Sequence, residues 1–316
     1  MRDREVAQIK SNQVVYYRSG VDDLFNRFIG YLDASPNTVS TYKRDLQQWF
    51  NYVTENHINQ PTRNTVLQYR KYLVDNGKKN TTIQNYITAV KQLYNWAASE
   101  NLAPNIARHV KTPKVGHDHK KDPLTAKQAR HVLESIDQTT LTGKRDYAIV
   151  ALLMSTGLRT IELSRANVGD LRLELDNRVL YIQGKGHDEK DSFVKVPVPV
   201  YHAIKNYLDA RHDEVTSKSA LFASTSNNSK GQTLTTRSIS KIAKESMVHA
   251  GYDSDRLTAH SLRHTAATLN ILNGGTLEET QQLLRHVNIN TTLIYEHEID
   301  RLKSKSEERI ASAIFK

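Results

Sequence analysis

The sequence predicts a mainly α-helical protein with a small β-sheet, divided into an amino-terminal helical bundle and a carboxy-terminal mixed α/β domain. Three observations predict it. Apolar residues recur at helical spacing through residues 21–103, a stretch rich in proline and lysine interrupts them at 104–124, and two β-rich runs stand close together near residues 178–198. At 316 residues the chain has room for about two domains, each with its own core.

Residues 1–20 hold few clustered apolar side chains and read as an amino-terminal arm. From Val21 the pattern becomes helical, with Leu24, Phe25, Phe28, Ile29 and Leu32 on one stripe. Ser35-Pro36 then supplies an N-cap and a proline at the first helical position, and Tyr42, Leu46, Trp49, Phe50 and Val53 form the next stripe. Two further helices are expected from about Thr62 to Asn76 and from Asn80 to Glu100, parted by Gly77-Lys78-Lys79 and ended before Pro104. Residues 104–124 contain three prolines and five cations with almost nothing to bury, so they read as a basic linker whose charges suit a DNA backbone.

The second domain, 125–316, opens on a capping box at Thr125-Ala126-Lys127-Gln128 and continues into an apolar helix around Tyr147 to Met154 that stops at Gly157. A new helix begins near Arg159. Arg178–Gln183 and Ser192–Val198 flank the polar Gly184-Lys185-Gly186-His187-Asp188 and read as a hairpin, while everything after Val200 is again mostly helical. Gly274-Gly275 closes the helix that carries His260, and Thr276-Leu277-Glu278-Glu279 is a second capping box.

A formal charge of +10 and a pI near 9.5 favour a polyanionic partner, with the amino-terminal part the more basic. The absence of cysteine excludes thiol catalysis, disulfides and thiolate metal sites. No apolar run approaches the roughly 20 residues of a spanning helix, and Met1-Arg2-Asp3-Arg4-Glu5 lacks a signal peptide's apolar stretch. The expectation is a soluble, cytoplasmic, nucleoid-associated protein with no membrane partner.

The densest chemistry lies in Thr258-Ala259-His260-Ser261-Leu262-Arg263-His264, followed by Arg285-His286 and then Tyr295. Cleaving a phosphodiester needs an in-line nucleophile, donors for the charge that develops on the non-bridging oxygens, and a proton for the leaving oxygen. Arg159 and Arg263 suit the second task, because guanidinium is permanently cationic and its fork matches two phosphate oxygens. His260 and Arg263 are three apart on one expected helix and so project from one face, with His264 on the same broad side as a packing or capping residue. Tyr295 is one of 15 tyrosines, and position alone does not single it out; a phenol of pKa about 10 becomes a nucleophile only in a cationic pocket. His260 and His264 have the spacing of a metal-binding helix, but no glutamate follows His260, and Arg263 between them opposes a dication. No metal and no cofactor is expected, and there is no glycine-rich nucleotide loop.

With Ser155-Thr156-Gly157-Leu158-Arg159-Thr160-Ile161-Glu162-Leu163 upstream, this ordered set of arginine, histidine-x-x-arginine, histidine and tyrosine resembles the tyrosine recombinase (phage integrase) family over most of the chain. The resemblance implies an amino-terminal SAM-like core-binding bundle and a tyrosine recombinase catalytic domain, closing as a C-shaped clamp on DNA. In that family the nucleophilic tyrosine follows the last histidine by nine residues, as Tyr295 follows His286. The resemblance further implies a mobile hairpin lysine as general acid, for which Lys185 in Gly184-Lys185-Gly186 is the candidate and Lys190 the fallback, because this hairpin is longer than usual. Glu162 matches the family's acidic residue, expected to fix Arg159 or a histidine. Arg285 stands where the family has glycine, so the backbone there is expected to lose glycine's freedom.

For activity, the resemblance implies a metal-free cleavage that leaves a 3′-phosphotyrosyl link and a 5′-hydroxyl. Strands would be exchanged through a Holliday junction by a homotetramer, or a heterotetramer with a paralogue, on double-stranded DNA bearing specific sites. Accessory DNA-binding proteins are further expected partners. The Ile310, Ile314 and Phe315 stripe suits docking on a neighbouring protomer, against the plainer reading of a helix packed on its own domain. Two rivals are a type IB topoisomerase-like relaxing activity and a binding-only protein with an inactive site; the helical domain and short motif spacing disfavour the first, and the full residue set the second. The 20 residues before the bundle are too few for an arm-binding domain, which favours an Xer-like or integron-like layout.

Overall fold

The computed structural model describes residues 18–114, 121–184, 186–211, 213–286, 288–289, 292–293, 295, 299–300 and 304–315, in two compact units divided at Asp118 and His119. Lys185, residues 1–17 of the expected arm and the Leu24 side chain lie outside the described set.

The amino-terminal unit is built from α1 (Arg18–Tyr31), α2 (Pro36–Glu55), α3 (Arg63–Asp75) and α4 (Asn80–Ser99). The first helix thus begins within the expected arm. Ser35 caps α2 by accepting the Thr38 N–H, ahead of Pro36, whose missing N–H costs nothing there. Thr62 and Thr65 form a reciprocal cap on α3. The stripes meet in one core of Phe28, Leu46, Trp49, Tyr69, Ile83, Ile87 and Leu93, where each fully buried side chain contributes roughly 1.5–3 kcal/mol before entropy. Beyond α4 the chain does not run free as expected: Ala107 and Val110 enter this core, and Arg70 Nη1 donates to the Lys111 carbonyl at 2.6 Å.

The second unit centres on α6 (Leu141–Thr156), whose residues Ala148 to Met154 are all buried, as a helix apolar on every side must be. Helices α8 (Val198–Asp209), α9 (Thr236–His249) and α10 (Ala259–Leu272) pack around it, and the unit also contains α5 (Ala126–Glu134), α7 (Thr160–Ser164), α11 (Leu277–Leu284) and α12 (Ser306–Ile314). Leu124 joins this core, its N–H bonded to Thr265 Oγ1 at 2.8 Å. Both expected capping boxes form, at Thr125–Gln128 and Thr276–Glu279.

The sheet has three antiparallel strands in the order β1 (Leu171–Glu174), β2 (Asn177–Ile182), β3 (Ser192–Lys195), with Leu180 opposite both Leu171 and Val194. The hairpin was expected and β1 was not. The second β-rich run also ends early, because Val198 starts α8 with a proline in its first turn. After Val200 the helical expectation holds except between α8 and α9, where Leu221 and Phe222 are buried and isolated bridges pair Asn167 with Ala220 and Ala223 with Thr233.

Candidate active site

The site grows from the end of α6. Gly157 closes that helix in the left-handed conformation (φ 60°), and a Cβ there would stand 2.8 Å from Leu284 Cδ2, so glycine is required for both φ and space. Two residues later Arg159 caps α7. Its main-chain N–H donates to Glu162 Oε2 at 2.7 Å and its Nη1 to Oε1 at 2.9 Å. Glu162 is buried, while about a third of the Arg159 side chain stays exposed. Of the two partners expected for the acidic residue, Arg159 or a histidine, the contacts are with Arg159.

Helix α10 carries His260, Arg263 and His264. Arg263 is buried and donates from Nη1 to the Gly157 carbonyl and from Nη2 to the Leu284 carbonyl, which ties α6, α10 and α11 together. Burial first, then the nearby Arg159 and Arg285 charges, lower its pKa to about 9, partly offset by Glu162 and Tyr295; it stays protonated at neutral pH. The His264 ring lies 4.7 Å from that of His260 and 5.1 Å from that of Tyr295. His264 thus packs, and what it packs against is the candidate nucleophile. Tyr295 is buried against Ala267 and Leu284 as well.

Helix α11 ends in a Schellman motif: the Arg285 N–H returns to the Gln282 carbonyl at 3.0 Å and the His286 N–H to the Gln281 carbonyl at 3.1 Å. Arg285 occupies the left-handed position (φ 54°), so this corrects the expectation that the chain forgoes glycine's freedom here. The arginine adopts the glycine conformation at a cost of about 1–2 kcal/mol. Its side chain offsets that cost. Nη2 donates to Glu162 Oε2 at 2.9 Å and Nη1 to the Leu283 carbonyl at 2.7 Å, leaving the buried Nε without a hydrogen-bond partner.

His286 follows at once, with Nδ1 2.9 Å from Thr292 Oγ1 and its carbonyl accepting from Gln281 Nε2 at 2.9 Å. Burial, reinforced by Arg263, Arg159, His260 and Arg285, lowers its pKa to about 4, so the imidazole is neutral at physiological pH. Burial alone would raise the Glu162 carboxyl, but Arg285 and Arg159 outweigh it and hold it below the usual range. A cavity of about 480 Å³ opens beside Arg285 and His286, bounded by Asp191, Ser192 and Phe193.

The structure brings Arg159, Glu162, His260, Arg263, His286 and Tyr295 together in one unit. Lys185 lies outside the described residues, and the fallback Lys190 is paired through Nζ with Asp170 Oδ2. Sequence reasoning expected His264 to pack or cap but not that it packs on Tyr295, and it missed the part played by Arg285. An arginine in a glycine position, one residue from a candidate histidine, was the available signal.

Comparison with known proteins shows the family. The phage integrase family profile matches residues 122–301, and that of the phage integrase N-terminal SAM-like domain matches 24–101. The chain is 29% identical over 286 residues to tyrosine recombinase XerD of Oceanobacillus iheyensis, covering 88% of this chain and 93% of that one. It is 31% identical over 278 residues to XerD of Staphylococcus haemolyticus, covering 83% and 88%. Among solved structures, XerH site-specific recombinase in a pre-cleavage complex with difH substrate superposes with a TM-score of 0.68 at 20% identity, over 97% of this chain and 91% of that one. The Tn1549 transposon integrase with transposon right-end DNA gives 0.67 at 18% identity, over 90% and 99%. These two share the fold. The chain belongs to the phage integrase family and is a tyrosine site-specific recombinase.

Proposed function

We propose that Tyr295 is the nucleophile of this recombinase and that Arg159, Arg263, His260 and His286 form the phosphate site around it, on double-stranded DNA. The observation that carries the reading is the position of Tyr295, its ring tilted against that of His264 at 5.1 Å and its phenol within electrostatic reach of Arg263 in the same domain. The phenol oxygen attacks phosphorus in line, its proton leaving to a nearby base, and the P–O5′ bond breaks. A 3′-phosphotyrosyl link and a 5′-hydroxyl result, the latter taking its proton from Lys185. The two guanidinium groups bear the charge that builds on the non-bridging oxygens. The imidazoles of His260 and His286 supply hydrogen bonds and proton transfer at the same phosphorus. Attack by a partner strand's 5′-hydroxyl reverses the step, so bond energy is kept and no ATP is consumed.

Strand exchange through a Holliday junction requires four such sites, and a homotetramer on two DNA sites supplies them; a heterotetramer with a paralogue, and accessory DNA-binding proteins, are further assemblies the reading admits. Helix α12 supports it, since it has no buried residue and exposes Ile310, Ile314 and Phe315, an apolar face without a place on its own domain. Among the described residues no helix is long and apolar enough to cross a membrane, and an enzyme acting on DNA in this way would work as a nucleoid-associated protein of the cytoplasm.

The experiment is covalent trapping: incubate the protein with nicked duplexes carrying candidate sites, without metal or ATP, and map any denaturation-resistant adduct. An adduct at Tyr295 supports the assignment; an adduct at another residue overturns it.

A further inference from the structure

Glu162 is shared. Its Oε1 holds the Arg159 guanidinium, and its Oε2 holds both the Arg159 main chain and Arg285. Arg285 in turn sits at the left-handed residue of the turn that ends α11, immediately before His286. Any residue but glycine strains that turn, so the conformation needs a compensating contact to be kept. The contact is across the site. Arg285 Nη2 reaches Glu162 on α7 and, at 3.4 Å, the Gly157 carbonyl that also accepts from Arg263. One side chain thus links the segment bearing His286 to the anchors of both arginines.

We propose that Arg285 is a positioning residue of this enzyme, clamping the end of α11 to Glu162 so that His286 is held beside Arg159 and Arg263. The inference rests on the proposed phosphate site. A glycine at 285 would keep the turn and lose the clamp, since the Schellman hydrogen bonds are made by the main chain. The side chain also adds a third cation to a site that already has two, and Glu162 is the carboxylate paired with both Arg159 and Arg285. The groups facing His286 are Arg263 and His260 from α10, Arg159 from the start of α7, Arg285 itself, Thr292, and Asp191 across the shared cavity. Removing the Arg285 charge makes protonation of His286 easier, and loosening the turn lets its ring leave Thr292.

The test compares the full-length wild type with Arg285→Gly and Arg285→Lys. Histidine ring resonances are followed by NMR from pH 3.5 to 8, and adduct formation is timed on a nicked duplex that the wild type cleaves. Arg285→Gly is expected to bind that duplex within about twofold of wild type, to raise the His286 midpoint by about one pH unit, and to form adduct at least tenfold more slowly with a shifted pH profile. Arg285→Lys should restore the midpoint and only part of the rate, because a single ammonium cannot bridge a carboxylate and two carbonyls in a fixed fork. Wild-type rate together with a wild-type midpoint in Arg285→Gly overturns the proposal. A slower rate with an unmoved midpoint overturns it as well. If the wild type forms no adduct at Tyr295, the phosphate-site reading fails, and the NMR midpoint still decides whether Arg285 holds His286.

Discussion

Glu162 receives two hydrogen bonds from Arg159, one from its main-chain N–H at 2.7 Å and one from its guanidinium at 2.9 Å. A single buried carboxylate therefore starts a helix and fixes the guanidinium proposed to bind phosphate. Glu162→Gln keeps the shape and removes the charge, leaving Arg159 and Arg285 facing each other across a neutral amide. Removing one partner of a buried ion pair costs about 3–5 kcal/mol, and the surviving amide oxygen returns part of that. We expect a loss of about 3 kcal/mol in urea denaturation of Glu162→Gln, with cleavage reduced by more than the fraction unfolded accounts for.

Gly157→Ala addresses the packing that holds Arg263. A left-handed alanine costs about 1–2 kcal/mol, and its Cβ would meet Leu284 Cδ2 at 2.8 Å. Since the Gly157 and Leu284 carbonyls are both acceptors for Arg263, a shift of either moves that guanidinium. The expected result is a thermal midpoint lowered by several degrees and a slower cleavage step, with DNA affinity little changed.

The low pKa of His286 predicts a specific acid sensitivity. Its folded-state value is about 4, below the ordinary 6.5, so the unfolded chain binds the proton more readily between those values. Stability present above pH 6.5 is then lost as pH falls toward 4, by at most about 3 kcal/mol from this group. Glu162, with its carboxyl held low, adds its own loss only further into acid. Urea unfolding of the wild type and His286→Asn at pH 7, 5.5 and 4.5 checks this: the difference between the two should shrink on acidification, and a constant difference contradicts it.

Tyr295→Phe removes one oxygen from a residue otherwise held by its ring against His264, Ala267 and Leu284. The variant should fold with a stability within about 1 kcal/mol of wild type and bind DNA as well, yet form no covalent adduct. Adduct formation by Tyr295→Phe would move the nucleophile to another tyrosine.

Much of this fold is written locally. Ser35-Pro36, Thr125–Gln128 and Thr276–Glu279 each cap a helix through residues within one turn, so reading them needs no tertiary knowledge. The candidate site was legible differently: His260 and Arg263 lie within one turn, but His286 and Tyr295 were picked out only by the resemblance of the ordered set to the tyrosine recombinase family. What escaped depends on distant partners. Strand β1 is four residues with mostly exposed side chains, and only its pairing with β2 makes it a strand. Ala107 and Val110 are too sparse to announce that they return to the bundle core. Arg285 is legible only beside Glu162, which lies far away in sequence, and His264 only beside Tyr295. The arginine in a glycine position looked like a loss because its compensation comes from another helix.

The two candidate lysines are separated by what holds them. Lys190 is paired with Asp170, whose other role is to accept the Asn167 N–H at 2.6 Å and so close the short turn before β1. A general acid must deliver its proton to the leaving oxygen, and an ammonium already donating to the Asp170 carboxylate must first leave that partner to do so. Lys190→Ala should therefore lower stability by about 1 kcal/mol and leave cleavage near wild type. Lys185→Ala should slow cleavage by about 10²- to 10⁴-fold, the usual range for loss of an acid catalyst. Replacing the 5′-bridging oxygen by sulfur provides the decisive control, since a thiolate leaves without being protonated. Lys185→Ala should cleave the sulfur-bridged duplex nearly as fast as wild type, whereas an Arg263→Ala enzyme, lacking charge stabilisation rather than a proton, should stay slow on both substrates. If Lys190→Ala shows the rescue and Lys185→Ala does not, the proton comes from Lys190, and the pair with Asp170 must open when DNA binds.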